Sequence, residues 1–165
     1  MKKICFVFLT IFFISLNSYA NQISVKIVST DAREQSLGTV AFSDTENGLL
    51  ITPHLKDLPP GLHGFHLHQI ANCGDHGMDA GGHYDPNKTN SHEGPYGNGH
   101  LGDLPALYVN AAGLAVLPTL APRLKISDIN GLALMIHLGG DNYSNTPPLG
   151  GGGARIGCGV LQDAR

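Results

Sequence analysis

Apolar and polar positions alternate in short runs along most of the chain: Ile23–Val28, Gly38–Phe42, Gly48–Leu55, Leu107–Val109, Leu114–Leu117, Ala133–Leu138 and Arg155–Leu161. A period of two places successive side chains on opposite faces of a strand. Turn-forming residues separate the runs, as in Ser43-Asp44-Thr45-Glu46-Asn47 and Asn110-Ala111-Ala112-Gly113. Long amphipathic helical stretches are missing. Short strands at this spacing predict an all-β fold, an antiparallel sandwich or barrel. Two stretches break the rhythm. One runs from Ile70 to about Pro105 and is rich in Gly, His, Asp and Asn; the other, Gly139 to Gly153, has little apolar content beyond Tyr143 and Leu149. Loops this long in a compact domain usually carry function, so the chemistry is expected there.

The first residues follow another pattern. Lys2 and Lys3 precede an apolar run, Ile4 to Leu16, and Ser18-Tyr19-Ala20 puts small residues where a signal peptidase reads. A cleaved signal peptide over 1–20 is expected, leaving 21–165 as one domain. The apolar run falls short of the roughly 20 residues a membrane span needs, so no membrane association is expected after cleavage. Charge excludes one class of partner. The chain has 10 basic and 13 acidic residues; without Lys2 and Lys3 the balance is 8 − 13 = −5, with no basic block, and nucleic acid is not expected. Of the 3 cysteines, Cys73 and Cys158 follow the signal segment. In an oxidising compartment such a pair reads as a disulfide, worth about 4–5 kcal/mol in the chain-entropy picture. The alternative, a pair of metal thiolates, lacks the close Cys-x-x-Cys spacing of zinc sites.

Histidine placement sharpens the reading. In Gly64-Phe65-His66-Leu67-His68 the i, i+2 spacing puts both imidazoles on one face of a strand, with Phe65 and Leu67 on the other. His63 shares the parity of Phe65 and reads as structural. The first long loop then carries His83 in Gly-Gly-His-Tyr-Asp-Pro, His92, and His100 and Asp103 in Gly-His-Leu-Gly-Asp. Three histidines and an aspartate make an N3O set of the kind zinc accepts. His137 ends an apolar strand and faces oppositely to Leu134, Ile136 and Leu138. Beside His66 and His68 it completes a set of imidazoles suited to copper.

These motifs, with Gly-Gly-Ala-Arg-Ile-Gly-Cys-Gly-Val at 152–160, occur in an order that resembles the copper–zinc superoxide dismutase family, in particular its bacterial exported branch. The resemblance implies an eight-stranded Greek-key β-sandwich or flattened barrel and a periplasmic location. It implies that copper is held by His66, His68, His83 and His137, and zinc by His83, His92, His100 and Asp103, with His83 shared. It further implies that Asp141 hydrogen-bonds His66 and His92, that Cys73 pairs with Cys158, and that Arg155 steers and docks superoxide beside copper. Catalytic roles fall to His83, as the proton carrier, and Arg155. Between Cys73 and His83 stand Asp75 and Asp79 and no lysine, which bacterial relatives often carry, so a weaker attraction for the substrate anion is implied.

A rival reading is an exported copper- and zinc-buffering protein on the same scaffold, which needs the metal ligands but not Arg155. A copper-only dismutase should lack His92, His100 and Asp103. All of these residues are present, which favours the two-metal enzyme. His54 and His76 receive no role, and the branch includes both monomers and homodimers.

Overall fold

The computed structural model describes residues 22–162, so the expected signal peptide at 1–20 lies outside the described residues. The chain forms β1 (Gln22–Ser29), β2 (Ser36–Thr45), β3 (Gly48–Leu55), β4 (Gly61–His63), β5 (Phe65–His68), β6 (Leu107–Val109), β7 (Thr119–Ala121), β8 (Leu132–His137) and β9 (Arg155–Leu161), with a single-turn helix, α1, at Ile126–Ile129. Seven strands build one antiparallel sheet in the order β5-β8-β9-β1-β2-β3-β7, and β4 pairs with β6. Only Gly64 separates β4 from β5, so the nine runs occupy eight extended segments. The sheet curls around one core and makes the half-barrel of a flattened β-sandwich.

Period-two patterning explains the curl. Ile27, Val40, Phe42, Leu49, Ile51, Phe65, Leu67, Leu134 and Ile136 come from five strands, belong to one cluster, and are at most 1% exposed. Each such burial contributes about 1.5–3 kcal/mol before entropy is counted. Two strand readings need correction. Leu114–Leu117 is not a strand: Ala115 makes an isolated bridge to Leu55, and Pro118, which has no N–H to donate, ends the run. The edge of the sheet is β7 instead, paired with Leu49–Ile51 of β3. Leu138 does not continue the apolar face of β8. The register shifts between Ile136 and His137, and Leu138 is left 52% exposed.

The two long loops fill the expected gaps, between β5 and β6 and between β8 and β9. The first is tied down by the Cys73–Cys158 disulfide, which joins it to β9 across 85 residues of sequence. It is also stitched onto β5 by Leu67 N–H to Gly102 O and Tyr84 N–H to Leu67 O, and Gly102 N–H to Tyr84 O ties the loop to itself, all at 2.8–2.9 Å. A Cβ at Gly102 would stand 2.4 Å from Leu67 O, so this close approach requires glycine. Among the described residues no helix is long and apolar enough to cross a membrane.

Candidate metal centre

Strand parity positions the first histidines. On β5, Phe65 and Leu67 enter the core while His66 and His68 stand on the opposite face, both fully buried under the long loop. His66 lies across from Met135 of β8, so the neighbouring His137 comes up beside it, with ring centroids 4.9 Å apart. The loop lays His83 against the same face, where it bridges to His68 as an isolated β-pair and its ring, tilted by 31°, lies 4.0 Å from that of His66. His66, His68, His83 and His137 form one buried group of possible metal ligands, and His83, His92, His100 and Asp103 form a second. His83 belongs to both.

Hydrogen bonds select which ring nitrogen faces inward. His66 Nε2–H donates to Asp141 Oδ2 at 2.7 Å, His68 Nδ1–H to Gly81 O at 2.8 Å, and His137 Nδ1–H to Gly153 O at 3.1 Å. Their remaining nitrogens, with His83 Nε2, are buried and have no hydrogen-bond partner. A neutral imidazole that donates from one nitrogen carries a lone pair on the other. In the second group, Asp103 Oδ1 lies 3.0 Å from His83 Nδ1, 3.0 Å from His92 Nδ1 and 3.4 Å from His100 Nδ1. A tetrahedral zinc site with bonds of about 2.0–2.1 Å has edges of about 3.3–3.4 Å, so this spacing fits. The His92 and His100 contacts have ion-pair length but lack hydrogen-bond geometry, which leaves both nitrogens unpaired. An unsatisfied buried polar atom costs about 1–3 kcal/mol, and six divided between two adjoining groups fit cations rather than water or a protein donor. Imidazoles alone suit copper; three imidazoles and a carboxylate suit zinc.

His66, His92 and Asp141 also cluster, but as a bracket rather than a third metal group. The Asp141 carboxylate takes His66 Nε2–H on one oxygen and His92 Nε2–H, at 2.8 Å, on the other. Its orientation is set by Tyr143 N–H, which also donates to Oδ1.

Electrostatics divide the site in two. Burial pulls His66 down to about 3, His68 to about 2 and His137 to about 4, so all three are neutral and ready to ligate at neutral pH. Burial lowers His83 as well, despite Asp103 beside it. His92 goes the other way. Burial opposes its charge, but carboxylates at both nitrogens prevail and raise it to about 9. Burial alone would raise Asp103 and Asp141; their histidine partners outweigh it and hold both well below the usual carboxylate range.

A cavity of about 290 Å³ opens over the four-histidine group, lined by His68, His83 and His137, with Met78 and Leu149 at its apolar rim. Among the described residues Arg155 is the one Lys or Arg on its wall. The guanidinium is aimed by the disulfide loop: Nη1 donates to Gly77 O and Nη2 to Gly81 O, the latter at 2.7 Å. A larger hollow of about 460 Å³ lies beside the disulfide, but Asp31, Glu34 and Asp75 line it and none of the grouped histidines does, so it suits no anion.

Comparison with known proteins agrees with this geometry. Residues 36–161 match the family model for copper/zinc superoxide dismutase. A superoxide dismutase [Cu-Zn] from Legionella pneumophila is 58% identical over 153 residues, covering 93% of this chain and 94% of the relative. The solved Cu/Zn superoxide dismutase from Brucella abortus superposes with a TM-score of 0.82 at 43% identity, covering 86% of this chain and all of that one. The monomeric copper, zinc superoxide dismutase from Salmonella enterica gives 0.74 at 50% identity, over 86% of this chain and 100% of its own. The chain belongs to the copper/zinc superoxide dismutase family. It is an oxidoreductase that disproportionates superoxide, with copper and zinc as its cofactors.

Within this dismutase the remaining histidines belong to neither ligand group. His63 is buried between the carbonyls of His137 and Pro59, at 2.7 Å each, as a structural histidine should be. His54 is exposed, and the exposed His76 is bound to Thr30 O at 2.8 Å. Sequence reasoning missed several residues that hold the loops. Tyr143 OH accepts from Ala106 N–H, Asn145 Oδ1 accepts from His92 N–H, and Arg123 grips four loop carbonyls. An Asn, a Tyr and an Arg in loops have no pattern of their own; only the contacts single them out.

Proposed function

We propose a residue-level division of labour for the dismutation. His66, His68, His83 and His137 hold copper; His83, His92, His100 and Asp103 hold zinc; Asp141 orients His66 and His92 from behind. The observation that carries this reading is the set of six buried, unpaired nitrogens converging on two points that share His83. Copper, which changes oxidation state, supplies the electron exchange, and zinc, which does not, supplies a fixed dication beside His83. The protein does the rest. Arg155 attracts the superoxide anion and docks it against the wall formed by His68, His83 and His137. The cavity, about 290 Å³, has room for a small anion. His83 gives the proton on Nε2 to the reduced dioxygen and takes another from solvent, while the Nδ1 side of its ring, beside Asp103, would stay with the zinc ligands.

We further infer that the mature chain works in the periplasm. The basic and apolar N-terminal pattern ending at Ala20 and the disulfide, which a reducing cytosol would not maintain, support that location. One chain supplies every ligand and Arg155, so the activity needs no partner subunit.

The test is dismutation by the mature chain loaded with both metals, beside Arg155→Ala and His137→Ala. Wild type is expected to be fast, His137→Ala to lose activity, and Arg155→Ala to fall roughly 10- to 100-fold in kcat/KM. Tight binding of both metals with no activity above free copper would leave a metal-buffering protein in place of the enzyme.

A further inference from the structure

The segment between the zinc-group residues His92 and Asp103 is closed locally by His100 N–H to Ser91 O at 2.8 Å and Asn98 N–H to Glu93 Oε2 at 3.0 Å. Residues 93–99 include Gly94, Pro95, Gly97 and Gly99, and bury little apolar surface. From a distant part of the chain, one guanidinium gathers its carbonyls. Arg123 follows β7 and precedes α1, and its guanidinium is spent entirely on this segment. Nε donates to Pro95 O at 3.1 Å, Nη1 to Gly99 O at 3.0 Å, and Nη2 to both Gly94 O at 3.2 Å and His100 O at 2.5 Å. The platform beneath Arg123 is firm. Its neighbour Leu124 is buried in the main core, and the next turn is pinned to β2 by Ile126 N–H to Asp44 Oδ1 at 2.9 Å and by Lys125 Nζ to Thr45 O.

The held segment in turn holds a carboxylate. The N–H groups of Glu93 and Gly94 donate to Asp103 Oδ2 at 3.2 and 3.3 Å. With Oδ2 occupied in this way, Oδ1 is the oxygen that faces the Nδ1 atoms of His83, His92 and His100. Through its carbonyl, His100 is gripped directly.

We propose that Arg123 is a positioning residue for the zinc half of the site. It fixes the 94–100 segment, so that Asp103 Oδ1 and His100 Nδ1 are aimed before zinc arrives, and its four hydrogen bonds all go to the zinc side. Planar geometry is what fits it for the task. Four carbonyls at different directions match the five N–H groups of a guanidinium fork and cannot all be met by an ammonium. This inference rests on the zinc assignment proposed above.

Arg123→Ala and Arg123→Lys in the mature chain test it, with Asp103→Ala as the control for the zinc assignment. Zinc affinity is read by competition with a chromophoric chelator, site symmetry by the visible spectrum of cobalt(II) in place of zinc, and copper affinity by competition at saturating zinc. Zinc affinity is expected to drop roughly 10- to 100-fold in both Arg123 variants, the range for residues that orient ligands from outside the coordination sphere. The cobalt spectrum should change, and copper affinity should stay within about twofold. Unchanged zinc affinity in Arg123→Ala, equal losses at both metals, or full recovery in Arg123→Lys would each overturn the proposal. Should Arg123→Ala not fold, Arg123→Lys decides alone. Zinc affinity retained in Asp103→Ala would instead overturn the ligand assignment beneath it.

Discussion

Asp141 shows how much one carboxylate contributes. It accepts from two imidazoles, one in each metal group, and so fixes the tautomer of both. A carboxamide cannot accept on both sides: its NH2 would meet the Nε2–H of one ring. Asp141→Asn is therefore expected to weaken metal binding roughly 10- to 100-fold while leaving the fold intact; unchanged affinity by chelator competition would remove this role. The histidines also give the metal-stripped protein a pH signature. His66, His68 and His137 have folded-state values of about 3, 2 and 4, below the ordinary 6.5. The unfolded chain binds more protons in that interval, so stability is lost as pH falls from about 6.5 toward 4. His92, raised to about 9, has the opposite sign and loses its contribution as pH rises from 6.5 toward 9. Metal-stripped protein should thus be most stable near pH 6.5, and a urea midpoint that does not move between pH 6.5 and 4.5 would contradict the acid limb.

At the scale of elements, the disulfide loop and β9 act together. Cys158 sits on β9 and Cys73 on the loop, while Arg155, the first residue of β9, donates back to Gly77 and Gly81 of that loop. The bridge therefore fixes the acceptors that aim the guanidinium. Replacing both cysteines by serine should cost about 4–5 kcal/mol, the value for a closed loop of this length. Metal-loaded protein should also lose kcat/KM with zinc and copper content preserved. Loss of stability at unaltered kcat/KM would confine the disulfide to a structural role.

The whole molecule is mildly acidic, with a net charge of −3, yet its substrate is an anion. With Arg155 in the role proposed for it, attraction comes from its local field, in a cavity that has no other Lys or Arg among the described residues, and not from the net charge. The Debye length shrinks from about 30 Å at 0.01 M salt to about 8 Å at 0.15 M. If the local field governs capture, kcat/KM falls over that range, and the fall is smaller in Arg155→Ala. A rate that rises with salt would mean that repulsion by the acidic surface dominates.

What the sequence determined by itself follows from periodicity and local spacing. Alternation marked β3, β6 and β9 at their observed bounds, because a half-buried strand must alternate. The same parity put His66 and His68 on one face, and the glycine- and histidine-rich composition marked the loop that covers them. Other features were decided only in three dimensions. The apolar run at Leu114–Leu117 lost its strand to β7 because Pro118 interrupts it and β3 offers its edge farther along. Leu138 left the core where the register shifts beside His137. Which nitrogen each histidine turns inward depends on acceptors up to 75 residues away, such as Asp141 for His66. Arg123 lies 23 residues beyond His100, in a turn with no motif, and became legible only when folding set its guanidinium among four carbonyls. Period and composition are local properties that a chain displays unfolded; hydrogen bonds between distant loops exist only once the core has brought them together.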